Sequence, residues 1–276
     1  MKFGFIASCG STEQILDMAV EAERAGWDGF FTWDGISVGP FDTFDPWALL
    51  GAVAVKTSTI RLGAMIFSLP RRKPWEVARQ AMTVDRLSGG RLVMPVGLGA
   101  VDDGGYSRVS GESTDTRVRA ELLDDTLAIL DRAWTGEPFS YEGTHHRVRD
   151  MVFRPTPVQD PIPVWVVGAW PAMRSMRRAV TRQGILPANM RAPMAPLPPA
   201  ELAAMLEWVG RHRPAEAGPF DVVVEGILPA DPAEAAAKVR ALGDAGATWW
   251  VESRWDFERE TPQTLLDRIR AGPLTG

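Results

Sequence analysis

RLGAMIFSLPRRKPWEVARQAMTVDRLSGGRLVMPVGLG, running from Arg61 to Gly99, is the stretch whose reading decides the fold. Two apolar runs, Ile60 to Phe67 and Leu92 to Gly97, flank an amphipathic segment from about Pro74 to Leu87. The pattern is strand, helix, strand. Gly89-Gly90 stops the helix, because glycine reaches the left-handed conformation without steric cost. Strands buried on both faces of a parallel sheet read as near-continuous apolar runs, and both runs here do. Parallel α/β folds carry their chemistry at the carboxyl ends of the strands. Phe67, Ser68 and the turn Gly97-Leu98-Gly99 are therefore the first places to look for function.

The same alternation extends in both directions. Strand one is Lys2 to Ala7. Helix one opens on Ser11, with Gln14 at the capping-box position and an apolar stripe of Ile15, Met18, Ala19 and Ala22. Strand two is Gly29 to Trp33, and Asp45-Pro46 opens helix two. Strand three is Ile60 to Phe67, helix three runs from Pro74, and strand four is Arg91 to Gly97. Helix four covers Thr116 to Trp134. Phe139 to Val152 alternates around Glu142-Gly143 and reads as a small hairpin. Strands five to eight are Pro163 to Val167, Ile185 to Ala188, Asp221 to Gly226 and Thr248 to Glu252. A helix follows each, and Pro193 to Pro199 is a loop. Eight strand–helix pairs close naturally as a (β/α)8 TIM barrel with a hairpin inserted before strand five. A doubly wound open sheet is the alternative, but no Gly-x-Gly-x-x-Gly follows strand one. No linker or repeat interrupts the chain, so a single domain over residues 1–276 is expected.

Composition narrows the function. The chain has 276 residues, 45% hydrophobic and 24% charged, and a net charge of −5. An acidic balance argues against non-specific nucleic-acid binding. Of 30 basic residues, 26 are arginine, as either genomic base bias or selection for anion-binding forks would produce. Cys9 is the one cysteine, so no internal disulfide forms. The N-terminal apolar run is too short for a signal peptide, and no stretch is long enough to span a membrane. A cytoplasmic protein is expected.

Several chemistries drop out. There is no Gly-x-Ser-x-Gly. None of His145, His146 and His212 ends a strand, and His145 and His146 fall in the hairpin, so no metal site is expected. Lys2, Lys56, Lys73 and Lys238 do not end strands, which removes Schiff-base chemistry. A barrel with none of these borrows its chemistry from a cofactor. Trp33, Phe67, Trp170, Trp249, Trp250 and Trp255 lie near strand ends, and an apolar mouth lined by some of them suits an apolar or aromatic small-molecule substrate. Arg254, just past strand eight, is a candidate for a substrate carboxylate.

The chain also resembles the luciferase-like monooxygenase family, flavin-dependent TIM-barrel enzymes. The resemblance rests on Gly63, Pro70 to Trp75, Leu87 to Arg91, and Gly97 to Gly99, and again on RPTPVQDPIPVWVVG from Arg154 to Gly168. It implies a flavin seat at the end of strand three, with Met65, Ile66 and Ser68 against the ring and a cis peptide at Met65–Ile66. It implies a cofactor site with Gly97, Leu98, Gly99 and Arg117, the arginine on the phosphate, completed by Gly168, Ala169, Trp170 and Met173. Many members carry an acidic residue and then histidine after strand two; here Asp34 is followed by Gly35. That leaves Asp34, Glu225 and Glu252, each ending a strand, as candidate acid–base groups. The first function implied is a monooxygenase using reduced FMN and oxygen, possession of a separate flavin reductase being left open. The alternatives are an F420-dependent hydride-transfer oxidoreductase, whose cofactor tail would suit the Arg71-Arg72-Lys73 cluster, and a non-catalytic flavin-binding relative. Family members are often homodimers, and a homodimer is expected.

Overall fold

A computed structural model of the chain describes residues 1–192 and 195–274. Along the chain run β1 (Lys2–Ile6), α1 (Thr12–Arg24), β2 (Gly29–Thr32), α2 (Pro46–Lys56), β3 (Arg61–Ala64), β4 (Phe67–Ser68), α3 (Pro74–Leu87) and β5 (Met94–Gly97). Then come α4 (Gly104–Ser107), α5 (Thr116–Ala133), β6 (Phe139–Glu142), β7 (Arg147–Met151), β8 (Val164–Trp170), α6 (Met173–Ala179) and β9 (Gly184–Asn189). The chain ends with α7 (Pro199–His212), β10 (Asp221–Gly226), α8 (Pro232–Asp244), β11 (Trp249–Glu252) and α9 (Pro262–Arg270). Pro193 and Met194, in the proline-rich loop, lie outside the described residues.

Helices begin where local chemistry satisfies their first N–H groups. Ser11 and Gln14 form the complete capping box of α1, and Ile15, Met18, Ala19 and Ala22 are its buried stripe. Asp45 accepts the Ala48 N–H at the start of α2, and Asp231 accepts that of Glu234 at the start of α8. Each of these two helices has proline in its first turn, where a missing N–H costs nothing.

The chain divides into two compact units, Met1–Phe31 with Pro163–Gly276, and Thr32–Ile162. In the first, strands lie in the order β2-β1-β11-β10-β9-β8, and all these pairings are parallel. Its core is aromatic. Trp165 and Trp249 have ring centroids 5.3 Å apart, and Phe31 lies 6.0 Å from Trp165. Trp249 and Trp250 are fully buried, so they belong to this core and not to a substrate mouth. Their indole N–H groups donate to Asp221 and Glu252, which satisfies the polar edge of each ring.

In the second unit β4 pairs in parallel with β5, and Leu62 of β3 bridges Leu92. The single strand expected from Ile60 to Phe67 is split at Met65–Ile66, whose peptide is cis. With β3 and β4 counted together, the eight expected strands are present among the described residues, each leading to a helix. The Leu87 to Arg91 motif has a structural task. Arg91 donates to the carbonyls of Ser88, Ile60, Ala54 and Thr57 and to the Thr57 hydroxyl, at 2.7–2.9 Å. One planar fork thus ties the ends of α2 and α3 to the start of β3. The β6–β7 hairpin forms a separate antiparallel sheet. Asp125 of α5 pins it by accepting from Tyr141 Oη and from the N–H groups of Thr144, His145 and His146. Burial alone would push the Asp125 carboxyl up, but these donors hold it below the ordinary carboxylate range.

Candidate functional site

The carboxyl ends of β2, β4 and β5 carry a buried charge cluster in the second unit. Asp34 follows β2, and its side chain is 0% exposed. It accepts the Ser68 N–H at 2.9 Å, Arg71 Nη2 at 2.6 Å, and Arg72 Nε and Nη2 at 3.1 and 2.7 Å. Arg71 also donates through Nη1 to Asp103. Asp103 in turn accepts the N–H groups of Ile36, Ser37 and Gly105. Burial would push the Asp103 carboxyl up; the N–H donors and the Arg71 guanidinium together hold it below the usual range.

This cluster corrects two readings. Asp34 is not an available acid–base group, because both its oxygens are occupied by cations and an N–H. Arg71 and Arg72 are not a free basic groove for an anionic tail, because Asp34 and Asp103 already neutralise them. Phe67 is also withdrawn from the substrate pocket. It is 0% exposed and stacks on Trp47 with centroids 4.3 Å apart.

Ser68 is buried, and its hydroxyl shares a 2.8 Å hydrogen bond with Tyr106 Oη. Burial pushes the Tyr106 phenol up. Its ring lies between the guanidinium groups of Arg71 and Arg119, at 5.4 and 5.2 Å. Arg119 Nη1 donates to the carbonyls of Leu98 and Gly99 at 3.1 and 2.8 Å. Gly97 is buried, and Leu98 and Gly99 are half-buried. Arg117, in the first turn of α5, faces outward with its side chain 72% exposed and 3.5 Å from Glu121. Arg119, two residues on, is thus the arginine tied to the Gly97–Gly99 turn. Met65 is buried and Ile66 half-buried. The Met65 N–H donates to the Thr32 carbonyl at 2.8 Å, while the buried Thr32 hydroxyl has no hydrogen-bond partner among the described residues.

In the first unit, β8 runs on through Gly168, Ala169 and Trp170, further than expected, and Met173 opens α6. The Ala169 N–H donates to Ser175 Oγ at 3.0 Å. Trp170 is half-buried with its ring 6.5 Å from Trp208. Glu252 is fully buried, bonded by Trp250 Nε1 and by Arg254, and serves structure. Arg254 bridges Glu252 and Glu260 at 3.0 and 2.9 Å, so its charge is spent and no substrate carboxylate is needed to balance it. Glu225 differs. It ends β10 with its side chain open to solvent, and no ion pair or hydrogen bond engages it among the described residues. Protein crowds around it nonetheless, and that desolvation raises its carboxyl. Of the three candidate carboxylates, it alone is free to exchange a proton.

Sequence reasoning missed Asp103, Tyr106 and Arg119. They sit in or beside a loop whose aspartate–glycine composition gives no periodic signal. Among the described residues no group of three or more His, Cys, Asp or Glu is placed to hold a metal ion. None of the described helices is long and apolar enough to cross a membrane.

Comparison with known proteins bears on the fold and the family. Curated relatives include the F420-dependent glucose-6-phosphate dehydrogenases of Microbacterium testaceum, 28% identical over 181 residues, and of Nakamurella multipartita, 26% identical over 202 residues. These matches cover 62% and 70% of this chain and 52% and 58% of the relatives. The chain thus spans about half the length of the curated relatives it matches. Among solved structures, an F420-dependent secondary alcohol dehydrogenase in complex with an F420–acetone adduct gives a TM-score of 0.78 at 16% identity, over 98% of this chain and 97% of that one. The FMN complex of the oxygenating constituent of 3,6-diketocamphane monooxygenase from Pseudomonas putida gives 0.74 at 16% identity, over 98% and 96%. At such identities the likeness shows the fold, and the fold is the TIM-barrel class read from the sequence. The profile of the luciferase-like monooxygenase family matches residues 2–270, and the chain belongs to that family.

Proposed function

We propose that this protein is an F420-dependent oxidoreductase that passes a hydride between the deazaflavin and a small alcohol or carbonyl compound. Glu225, at the end of β10 in the first unit, is its candidate proton-exchange group. The observation that carries the chemistry is Glu225 itself, a solvent-open strand-end carboxylate with a raised proton affinity and no partner among the described residues. The choice of cofactor is supported by the curated relatives, which are named for F420. The FMN and oxygen reading, placed first on sequence alone, moves to second. Its support here is the shared fold.

The residues present fit a deazaflavin ring. Half-buried Ile66 offers apolar surface backed by Met65, and the buried Thr32 hydroxyl, unpartnered among the described residues, is a polar atom that a ring carbonyl or N–H would satisfy. When bound, such a cofactor donates or accepts hydride. Met65, Ile66 and Thr32 would hold the ring, and Leu98 and Gly99, steadied by Arg119, would border it. Arg117 would reach a phosphate by giving up a surface pair worth about 0–1 kcal/mol. A free carboxylate of raised proton affinity such as Glu225 would accept a proton from an alcohol or return one to a carbonyl compound.

The test is a side-by-side titration of the purified protein with F420 and FMN, each oxidised and reduced, followed by turnover with alcohols and glucose 6-phosphate. Preference for F420 with hydride transfer is the expected result. Preference for reduced FMN, or binding of neither, overturns the reading.

A further inference from the structure

We propose that Arg71 is a positioning residue that sets three strand-end segments at once, and that what it positions is the Trp33 indole over Gly35. The cofactor-affinity part of this proposal rests on the functional reading above; the conformational part does not.

Arg71 stands just past β4 with its side chain 5% exposed. Nη2 donates to Asp34 twice, to the carboxylate at 2.6 Å and to the main-chain carbonyl at 2.9 Å, while Nη1 donates to Asp103. The two carboxylates belong to different segments, one after β2 and one after β5. Each passes the constraint on. Asp34 holds the Ser68 N–H at 2.9 Å at the end of β4. Asp103 holds the N–H groups of Ile36 and Ser37 at 3.1 and 2.9 Å, and the Ser37 carbonyl accepts the Gly104 N–H at 2.8 Å.

The segment 34–37 belongs to no helix or strand. Asp103 takes over the N–H groups that a ladder would otherwise engage. Within the segment, Gly35 is packed beneath Trp33. A Cβ at position 35 would lie 2.5 Å from Trp33 Cζ3 and 3.1 Å from Val38 Cγ2. The indole therefore occupies the space of a side chain at residue 35, with part of its surface open to solvent. A planar fork with several fixed donors can span two carboxylates and a carbonyl in this way. An ammonium on a flexible stem is a single point charge and cannot. With Arg71 removed, Asp103 becomes a buried charge without its cation, and the Ile36–Ser37 segment loses its anchor.

The experiment combines amide hydrogen exchange with cofactor titration on wild type, Arg71→Lys, Asp103→Asn and Gly35→Ala. Arg71→Lys is expected to speed exchange at Ile36, Ser37 and Ser68 together, by about tenfold or more. Asp103→Asn is expected to speed Ile36 and Ser37 and leave Ser68 protected. Gly35→Ala, which displaces the indole and leaves the clasp intact, is expected to leave those amides protected. All three variants are expected to weaken F420 binding about tenfold. Unchanged exchange at Ile36 and Ser37 in Asp103→Asn overturns the clasp, and that variant decides alone if Arg71→Lys does not fold. Faster exchange with unchanged affinity overturns the positioning claim and leaves Arg71 a scaffold residue. Wild type that binds no F420 sinks the functional reading; the exchange results still decide the clasp, with affinity then read on FMN.

Discussion

Gly99→Ala should destabilise this protein far more than Gly89→Ala, and the difference measures how tightly β4 and β5 are packed at their ends. Both glycines have positive φ, +75° and +66°. A non-glycine residue in that left-handed region costs roughly 1–2 kcal/mol. At Gly89 nothing lies within 4 Å of the added Cβ, so that backbone term is the whole effect. At Gly99 the Cβ would collide with Ser68 Oγ and stand 2.7 Å from Tyr106 Cε2 and 3.0 Å from its hydroxyl. Neither neighbour can yield freely, because Ser68 and Tyr106 are bonded to each other and buried. Overpacking of this kind adds roughly 1–3 kcal/mol, for a total of about 2–5. Thermal and urea denaturation would read this as a Tm loss on the order of 10 °C for Gly99→Ala and a few degrees for Gly89→Ala. Adding Ser68→Ala to Gly99→Ala removes the nearest obstacle, so the pair should be less destabilised than the sum of the singles. Equal losses at Gly99 and Gly89 would refute the reasoning, and would return Gly99 to the role of a bare turn glycine.

Three further outcomes are expected. Glu225 has a raised carboxyl, so the folded chain keeps that proton to higher pH than the unfolded chain. Its ionisation therefore costs stability as pH rises from about 4.3 through the raised value. Glu225→Gln should then melt higher than wild type at pH 8 and no higher at pH 4, while kcat falls by about 10²–10⁴; equal melting differences at both pH values would contradict the crowded setting. Asp125 is held below the ordinary range, so the stability it contributes is present above about pH 3.9 and is lost as pH falls through its lowered value. Asp125→Asn should cost about 1.5–3 kcal/mol at pH 7, a deficit that shrinks in acid, as urea titration at the two pH values will show. Arg91→Ala should cost roughly 3 kcal/mol or more, with Arg91→Lys recovering a minor part, since an ammonium cannot reach the same set of carbonyls; a Tm within a degree of wild type would show the knot to be dispensable.

The order of strands and helices was legible in the chain because local rules decide it. Ser11 with Gln14, Asp45-Pro46 and Gly89-Gly90 each satisfy or terminate hydrogen bonding within a few residues. Apolar periodicity exposes a buried face without reference to any partner. Short-range signals of this kind also located the hairpin, whereas the cis peptide at Met65–Ile66 was implied by the family resemblance and splits a strand read as continuous. The allocation of charged residues was not legible in this way. Asp34, Glu225 and Glu252 look alike in sequence, each an acid at a strand end. Tertiary structure separates them, because a carboxylate's role depends on which cations reach it. Arg71 and Arg72 are 37 and 38 residues from Asp34, and Arg254 closes over Glu252, while no cation among the described residues pairs with Glu225. Likewise Arg117 and Arg119 are two residues apart on α5, so they point in different directions, one to solvent and one to the Leu98 and Gly99 carbonyls. The sequence by itself determined the succession of elements and the family. Only the tertiary structure decided which ionisable groups are spent on each other and which one is left to react, because electrostatic pairing acts through space between residues that the chain keeps far apart.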